Sequence, residues 1–263
     1  PEHASSVHFI VVRCSGFMDP ILSRLMVRDI PPVPKDVMEA FETGTITHVP
    51  IEERSRILTD PSLRMENGIH ENIDGTVQVA VSCHMEGVTL EMIEWWGWWF
   101  PGDSDRFRAW LPDSNIRLTY SKEDADYFRS PYFPGFRPVT LYPEQVVGDI
   151  PMPFRIDMYP PDEFGFTDDV IASAGDPLVY CCRLGAKKGR IMYSWFVYMF
   201  FPEGDGCRFS ARFWVGSPEG NRFLKILLLN RRRMSALGIG CYREYISLPG
   251  VLPELYAIYG GKV

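Results

Sequence analysis

No histidine follows His84. The five in this 263-residue chain stand at positions 3, 8, 48, 70 and 84, so everything beyond must do any acid–base or metal chemistry without imidazole. The six cysteines (Cys14, Cys83, Cys181, Cys182, Cys207, Cys241) contain no C-x-x-C pair and no regular spacing, which excludes zinc fingers and a disulfide scaffold. They read as reduced thiols, mostly buried. No apolar run reaches membrane-spanning length, and no Asn-x-Ser/Thr sequon occurs. Positive charge is in deficit: a net charge of −7 and a pI near 5.3 argue against nucleic acid as a partner. The one basic cluster, Arg231-Arg232-Arg233, reads as the solvated side of a helix. No Ser/Gly-rich linker, charge block or internal repeat divides the chain, so one domain is expected over residues 1–263, with an irregular segment 1–70 packing on a core of 71–263. The chain begins at Pro1 rather than Met, which leaves a removed leader open; the expected location is the cytoplasm.

Aromatic and apolar residues are what the chain has in quantity, 14% and 46%, enough to bury a core and enclose a cavity. Between Thr89 and Phe100 the sequence reads TLEMIEWWGWWF, with four of the seven tryptophans inside five residues. Each offers a large apolar area and one N–H that needs a partner, so the segment is expected to wall an internal space. Thr89 is a credible N-cap for a helix here, with Glu91 in its first turn. Helical spacing puts Met92, Trp95, Trp96 and Trp99 on one face and Glu91, Glu94 and Trp98 on the other.

Upstream, Asp36 to Glu42 and Glu52 to Leu58 suit short helices. From Thr76 to Met85 the pattern alternates, Val77, Val79, Val81, Cys83 and Met85 against Thr76, Gln78, Ala80, Ser82 and His84, which predicts a strand with two unlike faces. Further strands are expected over Ile116 to Tyr120, Phe154 to Met158 and Pro177 to Leu184. A hairpin joins Arg190 to Phe201 with Cys207 to Val215 through Pro202-Glu203-Gly204-Asp205-Gly206. The first strand of that hairpin is apolar on both faces, which suits a place between a helix and a cavity. Cys181 and Cys182, neighbours in a strand, point to opposite faces. Asn221 to Leu248 repeats Leu224, Leu227, Leu228, Met234, Leu237, Cys241 and Tyr245 at helical spacing and predicts one long helix, stopped by Pro249-Gly250. Helices early, a run of antiparallel strands and a long helix near the end make an α+β protein. A curved antiparallel sheet around that helix, a helix-grip, leaves an internal cavity, and Gly238 and Gly240 would give a ligand room against the helix.

Several segments together resemble the diacetylphloroglucinol hydrolase family, which includes phloretin hydrolase. They are MEGVTLEMIEWWGWWF (Met85 to Phe100), DRFRAWLPDSNI (Asp105 to Ile116), YPPDEFGF (Tyr159 to Phe166), SARFWVG (Ser210 to Gly216) and CYREYISLPGVLPELY (Cys241 to Tyr256). The resemblance implies a Bet v 1-like helix-grip fold and hydrolysis of a carbon–carbon bond beside an aromatic ring, with zinc held by two histidines and two glutamates. Zinc in such a site polarises the acyl oxygen and lowers the pKa of bound water. Residue by residue, the resemblance places Asn115 at the first histidine, Glu144 at the first glutamate, and Gly240 and Glu244 at the H-x-x-x-E pair of the long helix. A family tyrosine upstream of the first histidine stands here as Phe107. Both histidines are therefore missing, and the expectation is a kept cavity without its metal, and no cofactor.

Within that cavity the expected catalytic residues are Asn115, Glu244, Tyr198 and Glu144. Asn115 replaces a histidine as a hydrogen-bond donor, Glu244 is a retained acid, poising Tyr242 or Asn115 or paired with an arginine such as Arg212, and Tyr198 or Trp98 offers an O–H or N–H. Trp95, Trp98, Phe107, Gly240, Tyr242, Phe196 and His84 are the expected substrate-binding residues. A large aromatic cavity with few titratable groups favours a metal-independent natural-product cyclase of the Diels–Alder type, which needs a mould for a hydrophobic polyene or terpenoid rather than a nucleophile. The alternatives are a zinc-dependent C–C hydrolase of acylated phenolics and a non-catalytic hydrophobic-ligand carrier. The expected partner is a small hydrophobic substrate, with a homodimer left open.

Overall fold

The computed structural model describes residues 19–187, 192–216 and 222–260. His3, His8, Cys14, Arg190 and Asn221, together with the side chains of Leu224 and Leu227, lie outside the described residues. The helices are α1 (Pro20–Leu25), α2 (Lys35–Glu42), α3 (Arg56–Thr59), α4 (Leu90–Trp99), α5 (Ser104–Trp110), α6 (Ala125–Arg129), α7 (Asp168–Ser173), α8 (Arg222–Leu228), α9 (Arg231–Ser247) and α10 (Leu252–Leu255). The strands are β1 (Gly68–Glu71), β2 (Val77–Glu86), β3 (Asn115–Tyr120), β4 (Thr140–Val147), β5 (Ile150–Tyr159), β6 (Leu178–Ala186), β7 (Met192–Glu203) and β8 (Gly206–Val215). All eight form one antiparallel sheet in the order β1-β2-β8-β7-β6-β5-β4-β3, which makes the fold α+β.

The hairpin β7–β8 and the alternating strand β2 are where the pattern puts them, and β2 pairs with β8 over its whole length. The long C-terminal helix is not continuous. Asn230 accepts a hydrogen bond from the Arg233 N–H and starts α9 afresh, so the stretch divides into α8 and α9. Arg231 is also more than a solvated charge: its guanidinium reaches the carbonyls of Glu42, the last residue of α2, and of Gly44. Strand β4 runs through Tyr142-Pro143-Glu144, a stretch the sequence pattern does not mark as a strand. Its ladder with β5 joins Thr140–Leu141 to Ile156–Asp157 and 144–147 to 150–153, and lapses between them, where Pro143 has no N–H to give.

Helix α9 touches β1 and β2 near one end of the sheet and β4 near the other. On the face of the sheet that α9 covers, the main core gathers the tryptophans of α4 with α5 and α9. The opposite face of β6, β7 and β8 carries a second core, in which Val197, Met199, Phe201 and Cys181 meet Val49, Ile57, Leu58, Leu63, Phe164 and Phe166. This explains why β7 is apolar on both faces: it lies between two cores. Cys182 falls on the first and Cys181 on the second, as alternation requires. The five described cysteines are free and buried. Among the described residues no helix is long and apolar enough to cross a membrane.

Candidate active site

A helix turns about 100° per residue, so Ile93, Trp96, Gly97 and Phe100 form one stripe from α4 into the turn that follows it, and that stripe faces the side of the sheet that carries the main core. Beneath it lies a cavity of about 120 Å³, lined further by Phe107 and Trp110 of α5, by alternate residues of β4 to β7, and by Glu244 and Tyr245 of α9. A second space of about 60 Å³ adjoins it along α9 beside Leu237, Gly240 and Cys241. Gln145, Ile156, Phe196, Tyr198 and Glu244 line both, so they form the partition between two lobes.

Glu244 is the acid of this partition. Its carboxyl is enclosed by apolar groups, and burial pushes its pKa up to about 8, against the opposing pull of a hydrogen bond from Gln145. At neutral pH it is therefore a carboxylic acid. The Gln145 side-chain amide donates to Glu244 Oε1 and, at 2.9 Å, to Asn115 Oδ1, while Asn115 Nδ2 donates at 2.9 Å to the Phe107 carbonyl. This chain fixes the acid's tautomer. Oε1 accepts from an amide, so the proton sits on Oε2. The Trp110 indole donates at 2.7 Å to the Glu244 backbone carbonyl and anchors that turn of α9. Burial also pushes the phenols of Tyr198 and Tyr245 and the Cys241 thiol upward, so all three stay neutral; that thiol lies 4.0 Å from the Tyr198 hydroxyl.

The structure brings together Glu244, Tyr198, Phe196 and Phe107 in the larger lobe and adds Gly240 in the smaller one. Asn115 is buried behind Gln145, with its amide engaged by protein partners rather than turned to a ligand. Glu144 stands apart. Side chains alternate along β4, so Leu141, Pro143 and Gln145 face the cavity while Glu144 faces away and meets Arg117 at 3.0 Å. The expected arginine partner of Glu244 is elsewhere too, because Arg212 pairs with Glu66. Trp95 stacks on Trp99 and meets Tyr256, and Trp98 donates its indole N–H to the Tyr127 carbonyl at 2.8 Å, so neither lines the cavity. Tyr242 lies on the side of α9 where Cys83 of β2 and Asp36 of α2 act on its hydroxyl. His84 is on β2 beside the tip of the β7–β8 hairpin, 2.8 Å from Glu203 and 3.3 Å from Asp205, in a polar surface cluster. Sequence reasoning missed Gln145, Trp96, Trp110 and Tyr180. The helical stripe through Trp96 was available as a signal, whereas Gln145 needed β4 to be recognised as a strand.

The two glycines of α9 differ in kind. A Cβ on Gly238 would lie 2.3 Å from Phe41 Cε1, so this glycine lets α2 pack on α9 rather than making room for a ligand. A Cβ on Gly240 would meet nothing within 4 Å. Gly240→Ala is expected to stabilise the protein by up to about 1 kcal/mol through helix propensity, and Gly238→Ala to destabilise it. Thermal melts of the two variants that move in the same direction would contradict this placement.

The donors at the four positions that the resemblance assigns to zinc do not suit it. Asn115 is a neutral amide bonded to Gln145, Gly240 has no side chain, Glu144 faces the other side of the sheet, and Glu244 alone brings a carboxyl to the cavity. Among the described residues no three His, Cys, Asp or Glu side chains gather to hold a metal.

A family model described as DAPG hydrolase PhiG domain matches residues 49–257. The chain is 28% identical over 246 residues to a phloretin hydrolase of Eubacterium ramulus, covering 88% of this chain and 87% of that one. It is 24% identical over 227 residues to a 2,4-diacetylphloroglucinol hydrolase of Pseudomonas protegens, covering 80% and 74%.

Proposed function

Because the chain belongs to the DAPG hydrolase PhiG domain family, we propose that it is a hydrolase that cleaves the carbon–carbon bond between an acyl group and a phenolic ring. The match over residues 49–257, with relatives named as hydrolases of phloretin and of 2,4-diacetylphloroglucinol, carries this reading. The same findings overturn the expectation of a Diels–Alder cyclase, which rested on the aromatic cavity and the missing histidines. An aromatic cavity serves a phenolic substrate equally well, and fold and cavity alone do not select the reaction. The architecture supports a Bet v 1-like helix-grip, with α9 against one face of the sheet. Free buried cysteines suit a cytoplasmic location.

Glu244 is the proposed proton carrier. In its acid form it donates Oε2–H to the ring carbon that bears the acyl group, converting a phenolate to its keto tautomer. The carboxylate so formed takes a proton from the water that adds to the acyl carbon. Breaking the carbon–carbon bond returns its electron pair to the ring and restores the phenolate, the acyl group leaves as a carboxylic acid, and Glu244 is again protonated. Water supplies every atom added, and no oxidant or reductant is needed. Gln145 and Asn115 are positioning residues that hold the acid's proton on the side away from Gln145.

Incubation with 2,4,6-trihydroxyacetophenone is expected to release acetic acid and the deacylated phenol. Absence of acid release from a panel of acylated phenols would sink the reading. Protein purified without chelators is expected to carry no stoichiometric zinc and to keep its rate in EDTA, because the ligand positions lack donors. One equivalent of zinc by elemental analysis, lost together with activity on chelation, would overturn that donor assignment.

A further inference from the structure

Two donors in the cavity wall lack partners. Trp96 and Tyr180 are 3% and 7% exposed and both line the larger lobe, yet neither the Trp96 indole N–H nor the Tyr180 hydroxyl has a hydrogen-bond partner among the described residues. The indoles of Trp98, Trp110 and Trp214 all donate to backbone carbonyls at 2.7–2.8 Å, so the orphan is not a habit of this core. A buried donor left unmade costs about 1–3 kcal/mol and is retained where a ligand completes it. Local backbone protects the arrangement: a Cβ on Gly97, next to Trp96, would lie 3.1 Å from Tyr180 Oη, so glycine lets α4 approach that hydroxyl.

Tyr180 lies directly across from Tyr198 in the β6–β7 register, so the two phenols are neighbours on one face of the sheet. Tyr198 is the one within electrostatic reach of Glu244, whereas Tyr180 feels Glu94 and Tyr127. Tyr180 therefore lies one strand from Tyr198, about 4.8 Å across the sheet.

We propose that Trp96 and Tyr180 form a two-donor subsite for one oxygen on the substrate's ring, a phenolate that becomes a keto oxygen when Glu244 protonates the ring. The ring's identity rests on the hydrolase reading; the subsite rests on the orphan donors. Trp96 Nε1 can only donate and burial keeps the Tyr180 phenol neutral, so the matching group must accept twice, which a keto or phenolate oxygen does and an alkyl or unsubstituted ring position does not. As the carbon–carbon bond breaks and charge returns to that oxygen, two donors held in the cavity wall stabilise it.

The test is binding, by calorimetry, of 2,4,6-trihydroxyacetophenone and of acetophenone to the wild type, Tyr180→Phe and Trp96→Phe. The wild type should prefer the hydroxylated ketone by at least about tenfold, and each variant should lose about tenfold for it while holding acetophenone unchanged. Tyr180→Phe should not lower Tm, since its hydroxyl has no protein partner to lose. Wild-type affinities in both variants, equal losses for both ketones, or a wild type without preference would each overturn the subsite. Selective binding without any acid release would keep the subsite and sink the hydrolase reading instead.

Discussion

Glu244→Gln is expected to lower kcat on an acylated phenol by about 100- to 10,000-fold, the usual contribution of a positioned general acid. The substitution is close to isosteric. The new amide oxygen still accepts the Gln145 N–H, so the chain through Asn115 to the Phe107 carbonyl survives and only the proton on Oε2 is lost. The wild-type rate should fall as pH rises through about 8, where Glu244 ionises. A glutamine variant with the wild-type rate, or a wild type whose rate climbs through that region, would move the chemistry to another group.

The same substitution should stabilise the protein in alkali. Folding raises the Glu244 pKa from 4.5 to about 8. Below pH 4.5 both folded and unfolded states hold the proton, and the acid costs nothing relative to glutamine. Between the two values the unfolded state ionises while the folded state cannot, so stability is lost progressively. Above about 8 the loss is complete, at an order of magnitude of 5 kcal/mol. Glu244→Gln should thus melt near the wild type at pH 4 and well above it at pH 9. A folded variant with no alkaline gain in Tm would mean that this carboxyl is solvated.

Glu66→Ala is expected to produce the largest loss of stability, about 3–5 kcal/mol. Arg212 is 1% exposed, and its guanidinium has Glu66 Oε2 at 2.6 Å and the Thr47 carbonyl at 3.1 Å. Removing the carboxylate strands a charge that cannot reach water. Glu66 also accepts the Thr47 N–H at 2.9 Å, so the segment leading to β1 loosens with it. At about 2–4 °C per kcal/mol for a chain of this size, Tm should fall by roughly 6–20 °C. Adding Arg212→Met, which fills a similar volume without charge, should restore much of the loss. If the double variant melts no higher than Glu66→Ala, the cost lies in the Thr47 contact and not in the buried charge.

The alternation in β2, the Thr89 cap of α4 and the glycine turn of the β7–β8 hairpin are readable in the chain because each is decided by neighbours a few residues away. Family membership was readable for a different reason: the motifs that carry it are contiguous stretches. The absence of histidine after His84 is likewise a property of sequence alone. The choice between Glu144 and Gln145 was not readable. It depends on β4 being a strand despite Pro143, and a shift of one residue exchanges the cavity face for the outer face. Trp96 rather than Trp95 or Trp98 reaches the cavity because Tyr256 and Tyr259 of the C-terminal segment occupy the space beside Trp95 and Trp99. The bond from Gln145 to Glu244 joins residues 99 apart, and Arg212 to Glu66 joins residues 146 apart. Sequence determined the locally patterned elements, the family and the lack of imidazole after His84. Only tertiary structure decided which acid is buried, because burial is set by what packs on a residue from elsewhere in the chain, and it is burial that keeps Glu244 protonated.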